Sequence, residues 1–326
     1  MNKTRRQRIL NTVDVSRGVG LEIGPLMAPI VTKDAAKRVY YLDHMSQKDL
    51  IEKYGHEPMV DTSKIEPVDF VVDKKSLKSS VGNMKFDYIV ASHVIEHMPD
   101  LISWLQEVEE ILKIGGVLAL AIPDKRYTFD ISRRTSTVNE VMVSYFDKLH
   151  HSSNVMMYDY YREYRHDVDS QKAWSEKDYV STLNRRWTKQ EAINAYEDNK
   201  AGKYLDCHCF TFTPYSFIEI LRELITEKLV NLEVVNFIET IKNDMEFHIS
   251  LRKVSSKESI KSRIDSLPKV INYERQEMKL ELEEAHEEIE LHKQKIVKLE
   301  NSNSWKLTKP LRKTKSNVIN LKRARK

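Results

Sequence analysis

Gly20-Leu21-Glu22-Ile23-Gly24-Pro25-Leu26-Met27-Ala28-Pro29 reads as a short apolar strand that runs into an acid and a glycine. Open parallel sheets bind their ligands at such strand ends. A dinucleotide would call for G-x-G-x-x-G behind the strand, to cradle a pyrophosphate. Here Gly18 and Gly20 precede the strand and only Gly24 follows it, which disfavours a nicotinamide cofactor. One close-approach glycine beside a carboxylate suits a cationic ligand without phosphate, although a plain structural turn fits the same residues.

Working outward, further strands are predicted over residues 39–42, 68–72, 86–91 and 117–122. Helical spacing separates them, as in Leu101, Trp104, Leu105, Val108, Ile111 and Leu112, which Gly115-Gly116 ends. Continuous apolar strands between helices predict a parallel sheet covered on both faces. Seven of the eight glycines precede residue 117, so tight turns belong to this part of the chain. Residues 124–206 are rich in Tyr, Arg, Asp and Asn and show no long apolar face. They are expected to form an inserted, mainly helical lid. Core texture returns over 210–224, where Thr213-Pro214 opens a helix, and strands follow over 232–238 and 247–251. The last alternates as an antiparallel edge strand would. The expected fold is α/β: a Rossmann-like, doubly wound, mostly parallel seven-stranded sheet.

From Ile271 the pattern changes. Ile271, Met278, Leu282, Ala285, Ile289, His292, Ile296 and Leu299 fall on one heptad seam, with Glu and Lys at the other positions. That spacing predicts a coiled coil of three to four heptads and a homo-oligomer, against a lone solvated helix. The expected organisation is therefore a domain over 1–255, a linker and coiled coil over 256–301, and a basic tail over 302–326.

Length and charge agree with this division. The chain has 326 residues, 40% hydrophobic and 31% charged, enough apolar material for a real core. Its net charge of +4 is uneven: residues 1–13 and 302–326 hold 13 of the 53 basic residues, while all 49 acidic residues lie between them. A basic tail on an acidic body implies an anionic partner for the tail, and it argues against a nucleic-acid groove in the body. No apolar run approaches the roughly 18 residues of a membrane span, no apolar stretch follows the basic N-terminus, and two cysteines cannot make a disulfide framework. The expected location is cytoplasmic.

Acids close two further strands: Asp43 after Tyr41-Leu42, and Asp73 after residues 68–72. An acid about twenty residues beyond the glycine turn is placed to accept the hydroxyls of an adenosine ribose. Asp73 could receive an adenine amino group. Each acid alone is more often a turn or cap residue; three at successive strand ends make a stronger pattern.

In this order Leu21-Glu22-Ile23-Gly24-Pro25, Leu42-Asp43, Phe86 to His97 (FDYIVASHVIEH) and Leu112-Lys113-Ile114-Gly115-Gly116 resemble a class I S-adenosylmethionine-dependent methyltransferase. The chain is most similar to bacterial methyltransferase-domain proteins associated with surface polysaccharide synthesis, over roughly residues 18–252. Residues 121–130 (AIPDKRYTFD) and Phe210-Thr211-Phe212-Thr213-Pro214 share that likeness. It departs in the first motif, where Leu26 and Ala28 replace the later glycines of E/D-x-G-x-G-x-G. The resemblance implies S-adenosylmethionine as cofactor, with Glu22 and Gly24 flanking its methionine and sulfonium end. It implies Asp43 on the ribose, Asp73 on the adenine, and Ser92 and His93 on the wall near the methyl group.

Methyl transfer from a sulfonium needs positioning, and a hydroxyl acceptor gains from a base. His93, just past the fourth strand, is the first candidate and His97 the second; each could instead be a hydrogen-bonded core histidine. His150, His151, His166 and Asp130 are rivals from the insertion. His93-Val94-Ile95-Glu96-His97 also fits H-x-x-E-H, a zinc-peptidase pattern. It follows a buried strand directly and Pro99 comes soon after, so zinc hydrolysis is set aside. Cys207-His208-Cys209 is expected in a core strand as two buried thiols, with adjacent residues on opposite faces, and no metal site is predicted.

Residues 301–312 (NSNSWKLTKPLR) resemble a short signature at the ends of bacterial glycosyltransferases and other polysaccharide-cluster proteins. Trp305, Leu307 and Leu311 among lysines and arginines suit a membrane interface, against a merely solubilising basic end. The expected activity is O-methylation of a sugar hydroxyl on a surface polysaccharide or glycolipid, with peripheral contact to the inner membrane face. The alternatives are a nucleic-acid methyltransferase and a non-catalytic coiled-coil scaffold.

Overall fold

A computed structural model of the chain describes residues 4–58, 60–72, 76–302 and 306. The chain divides into two units, Met1–Val270 and Ile271–Lys326.

The first unit is built on seven strands: β1 (Gly20–Ile23), β2 (Val39–Asp43), β3 (Phe70–Val71), β4 (Phe86–Ser92), β5 (Leu112–Pro123), β6 (Leu232–Ile238) and β7 (Glu246–Lys253). Their order is β3-β2-β1-β4-β5-β7-β6. The first five run parallel, with Leu21 opposite Tyr40 on one side and Ile89 on the other. β7 is antiparallel to both β5 and β6. All four residues of β1 are buried, as a strand covered on both faces requires. The chain winds outward from β1 through β2 and β3, then returns to β4 on its other side. The crevice between β1 and β4 is thus the switch point where such sheets hold ligands.

β5 begins five residues before the expected 117. Phe86 pairs with Leu112 and Tyr88 with Val117, so the intervening residues bulge outward. Gly115, at φ +82°, supplies the backbone turn that this bulge needs.

The helices, in order, are α1 (Arg5–Ile9), α2 (Gln47–Tyr54), α3 (Leu77–Val81), α4 (Leu101–Ile111), α5 (Val138–Phe146), α6 (Asn154–Glu163), α7 (Ser170–Ser175), α8 (Tyr179–Thr182), α9 (Lys189–Lys200), α10 (Pro214–Thr226), α11 (Ile260–Asp265) and α12 (Tyr273–Asn301). α4 starts where Asp100 accepts the Ser103 N–H, and it buries Leu101, Ile102, Leu105, Val108 and Ile111. α10 opens with Pro214 behind a Thr213–Ser216 capping box, and it buries Phe217, Leu221 and Leu224. These helices belong to the larger core. A second core gathers Ile9, Ile30, Val31, Val39, Tyr41, Tyr88, Val90 and Ala119. Ile9 is 1% exposed, which is worth roughly 1.5–3 kcal/mol of apolar burial and fastens α1 to the sheet. The basic N-terminus is thus a structural element.

Residues 124–206 carry α5 to α9, the mainly helical insertion expected there. The 203–211 stretch is a correction. It forms no strand, although Cys207 and Cys209 are both buried as expected, and His208 between them is buried too. Hydrogen bonds from the Cys209 and Phe210 N–H groups to the Glu96 carbonyl, at 2.7 and 3.1 Å, hold it as an irregular strap.

The second unit contains α12. The seam residues Leu282, Ile289, Ile296 and Leu299 are exposed along it. Of the basic tail only Ser302 and Lys306 are described, so Trp305, Leu307 and Leu311 lie outside the described residues. Among the described residues no helix is long and apolar enough to cross a membrane.

Candidate active site

β1 ends at Gly24, whose φ of +66° favours glycine and whose added Cβ would lie 3.2 Å from Val94 Cγ2. The loop beyond is held from below by Glu22. Its carboxylate, 2% exposed, accepts the Ile30 and Val31 N–H groups at 2.7 and 2.8 Å. Burial pushes its pKa up to about 7 despite those two bonds and the nearby Arg6 and Arg5. Glu22 therefore shapes the loop with both of its oxygens.

β2 delivers Asp43, 6% exposed. Its Oδ1 accepts the His44 N–H at 2.7 Å and faces the His44 ring Nδ1 at 2.6 Å. No hydrogen bond among the described residues engages Oδ2, which leaves an acceptor at the strand end. Asp73 lies outside the described residues.

β4 ends in Ser92, whose Oγ accepts from Arg5 Nη2 at 2.7 Å. His93 follows at φ +54°, a backbone region unusual for a side-chain-bearing residue and one that functional sites tend to hold. His93 Nε2 lies 2.7 Å from Glu246 Oε2. Glu246, 2% exposed, also receives Arg5 Nε and Nη2 at 2.7 and 2.8 Å and His248 Nε2 at 2.9 Å. Burial alone would raise its pKa, but the bonds from His248, His93 and Arg5 outweigh burial and hold the group ionised well below the usual range. An ionised acceptor fixes a proton on His93 Nε2 and leaves Nδ1 as the basic nitrogen. Burial works to lower the His93 pKa, and the Glu246 bond with the Glu96 and Glu246 charges raises it on balance.

His97 stands apart from this dyad. It closes a 3-10 turn, Ile95–His97, and its Nδ1 meets Asp206 Oδ1 at 2.9 Å. Against the lowering effect of burial, Asp206 lifts it to about 9. The short turn also removes the long helix that the zinc-peptidase pattern requires.

Arg5, Glu246 and His248 were not singled out from the sequence. Glu246 stands one residue ahead of the predicted strand 247–251, and only the antiparallel pairing brings it to the ligand edge. Of the rivals, Asp130 is 1% exposed between Arg133 Nη1, at 2.9 Å, and His208 Nδ1, at 2.5 Å.

The residues fit S-adenosylmethionine on two counts: the Gly24 turn, where a Cβ would crowd Val94, and the uncommitted Asp43 oxygen. The seven-stranded sheet in this order is the α/β, Rossmann-like methyltransferase fold, and S-adenosylmethionine is the group that these strand ends fit.

Residues 15–153 match the family described as the methyltransferase domain, a span under half of the chain. No curated protein sequence matches the chain. Among solved structures it is similar to the CurJ carbon methyltransferase, with 14% identity over 76% of this chain and 51% of that one, at a TM-score of 0.35. It therefore spans about half the length of that protein. It is similar to a SAM-dependent methyltransferase from Methanosarcina mazei, with 17% identity over 76% and 97% and a TM-score of 0.37. A third is the CcbJ methyltransferase from Streptomyces caelestis, with 11% identity over 76% and 94% and a TM-score of 0.39.

Proposed function

We propose that the protein transfers a methyl group to a hydroxyl of a cell-surface polysaccharide or glycolipid. The observation that carries this reading is the His93–Glu246 pair at the end of β4. When bound, S-adenosylmethionine supplies the electrophilic methyl group. Gly24 and Asp43 hold it, the first by allowing close approach and the second by accepting ribose hydroxyls. Glu22 keeps the intervening loop in place. Glu246 orients His93, whose Nδ1 takes the acceptor hydroxyl's proton as the oxygen is methylated. Such a base contributes about 10²–10⁴-fold. A neutral hydroxyl gains from that help more than an acceptor that reacts without losing a proton.

The glycan acceptor rests on the similarity of residues 301–312 to polysaccharide-cluster proteins and on the basic tail. In this reading the insertion over 124–206 covers the acceptor, and α12 pairs with a second copy as a coiled coil. The tail rests on the inner face of the cytoplasmic membrane.

The test is release of S-adenosylhomocysteine by the full chain when bacterial polysaccharide, glycolipid or RNA is added. Release with a glycan, lost in His93→Gln, is expected. Release with RNA alone would sink the reading.

A further inference from the structure

Glu96 is the most anomalous side chain in the described structure. It is 0% exposed, and neither carboxylate oxygen has a hydrogen-bond partner. A buried carboxylate left this way is costly unless something positive completes it. Its Oε1 lies 3.9 Å from His208 Nε2, too far for a hydrogen bond. With one ligand atom each, Glu96, His97 and His208 bring three donors within 4.8 Å of one another.

The two imidazoles are each oriented by a carboxylate. Asp130 Oδ2 engages His208 Nδ1 at 2.5 Å, and Asp206 Oδ1 engages His97 Nδ1 at 2.9 Å. Both rings therefore keep Nε2 outside these pairs, where an ion would take the place of a proton. Carboxylate–imidazole pairs of this kind stand behind metal-ligating histidines. The backbone is fastened to match: the Glu96 carbonyl accepts the Cys209 and Phe210 N–H groups, and the Cys209 thiol donates to the His97 carbonyl at 3.3 Å. The turn that carries two of the donors is thereby stitched to the strap that carries the third.

We propose that Glu96, His97 and His208 bind one divalent transition-metal ion of the zinc class, with Asp130 and Asp206 orienting the imidazoles. Two nitrogens and one carboxylate oxygen suit such an ion better than magnesium or calcium, which take oxygen sets. Donors about 2.1 Å from the ion sit roughly 3.4 Å apart across a tetrahedral edge. The 3.9 Å spacing of Glu96 and His208 closes to that with small side-chain rotations. His93 is not among the three ligands, but its Nδ1 lies 3.9 Å from Glu96 Oε1, so the site adjoins the proposed base.

The test uses the full chain, stripped with a chelator and titrated with Zn²⁺ by calorimetry and with Co²⁺ by visible absorption. One equivalent should bind, with Co²⁺ bands of a site below six-coordination. Glu96→Gln should abolish binding. Asp206→Asn, a change at a partly exposed orienting group, should weaken it about 10–100-fold and decides the matter if Glu96→Gln does not fold. A Cys207→Ser/Cys209→Ser double variant should retain it. Absence of stoichiometric binding, indifference to Asp206→Asn, or loss only in the cysteine variant would each overturn the site.

Discussion

His93 Nε2 and Glu246 Oε2 meet at 2.7 Å across 153 positions of sequence. The antiparallel course of β7 makes this possible. Its first residue, Glu246, pairs with Pro123, the last of β5, so it stands at the edge where the parallel strands end. Arg5 and His248 bond the same carboxylate. Replacing His93 with Gln should lower kcat by about 10²–10⁴-fold while cofactor affinity stays within about twofold. Glu246→Gln should lower kcat by less, since the ring remains but loses its orienting charge. Steady-state kinetics with a glycan acceptor and cofactor titration separate the two effects; a loss confined to KM would assign the pair a structural role.

Asp43→Ala should weaken S-adenosylmethionine binding. Hydrogen bonds to a charged group are worth about 1.5–3 kcal/mol, which corresponds to roughly 10–100-fold in Kd. Calorimetric titration beside a melting curve checks this. An unchanged Kd in a folded variant removes Asp43 from the site.

Glu22 makes stability depend on pH. Its folded pKa of about 7 stands above the ordinary 4.5, so the folded state binds the proton more tightly than the unfolded chain. Its contribution is complete below pH 4.5 and is lost as pH rises through 7. The shift corresponds to about 3 kcal/mol. Melting temperatures from pH 4.5 to 8 should fall more steeply for the native protein than for Glu22→Gln. Parallel curves would refute this assignment.

Gly20→Ala should be strongly destabilising although Gly20 has no unusual φ. The added Cβ would lie 2.1 Å from ring carbons of Tyr88, itself only 3% exposed in the second core. Overpacking of this kind costs about 1–3 kcal/mol, or several degrees in Tm. Gly82→Ala, with φ +62° and open space around it, should lose only the left-handed penalty of about 1 kcal/mol.

If α12 pairs with a second copy, charge on its seam should separate the copies. Ile289→Asp with Ile296→Asp is expected to convert an oligomer to a monomer in sedimentation experiments, leaving cofactor binding intact. A native protein that sediments as a monomer would dismiss the coiled coil.

Much of the architecture was legible in one dimension because its signals are local. Continuous apolar runs marked β1, β4 and the buried half of β5, Thr213-Pro214 marked the start of α10, and Asp43 declared itself by following a strand. The bulge in β5 and the brevity of β3 were not legible, because strand ends depend on what the neighbouring strand offers. The strap at 203–211 was misread for a related reason. The Cys209 and Phe210 N–H groups bond the Glu96 carbonyl, more than a hundred residues away, and alternation of residue types carries no trace of that partner.

The sequence by itself determined the sheet, its parallel core and which residues stand at the ends of β1, β2 and β4, since periodicity and turn chemistry act within a few residues. Only the tertiary structure decided who meets whom there: Arg5 and Glu246 at His93, Ile30 and Val31 on Glu22, His208 beside Glu96. Those pairings join residues from eight to 241 positions apart, and they exist because burial leaves each charged group only the partners that folding brings within reach.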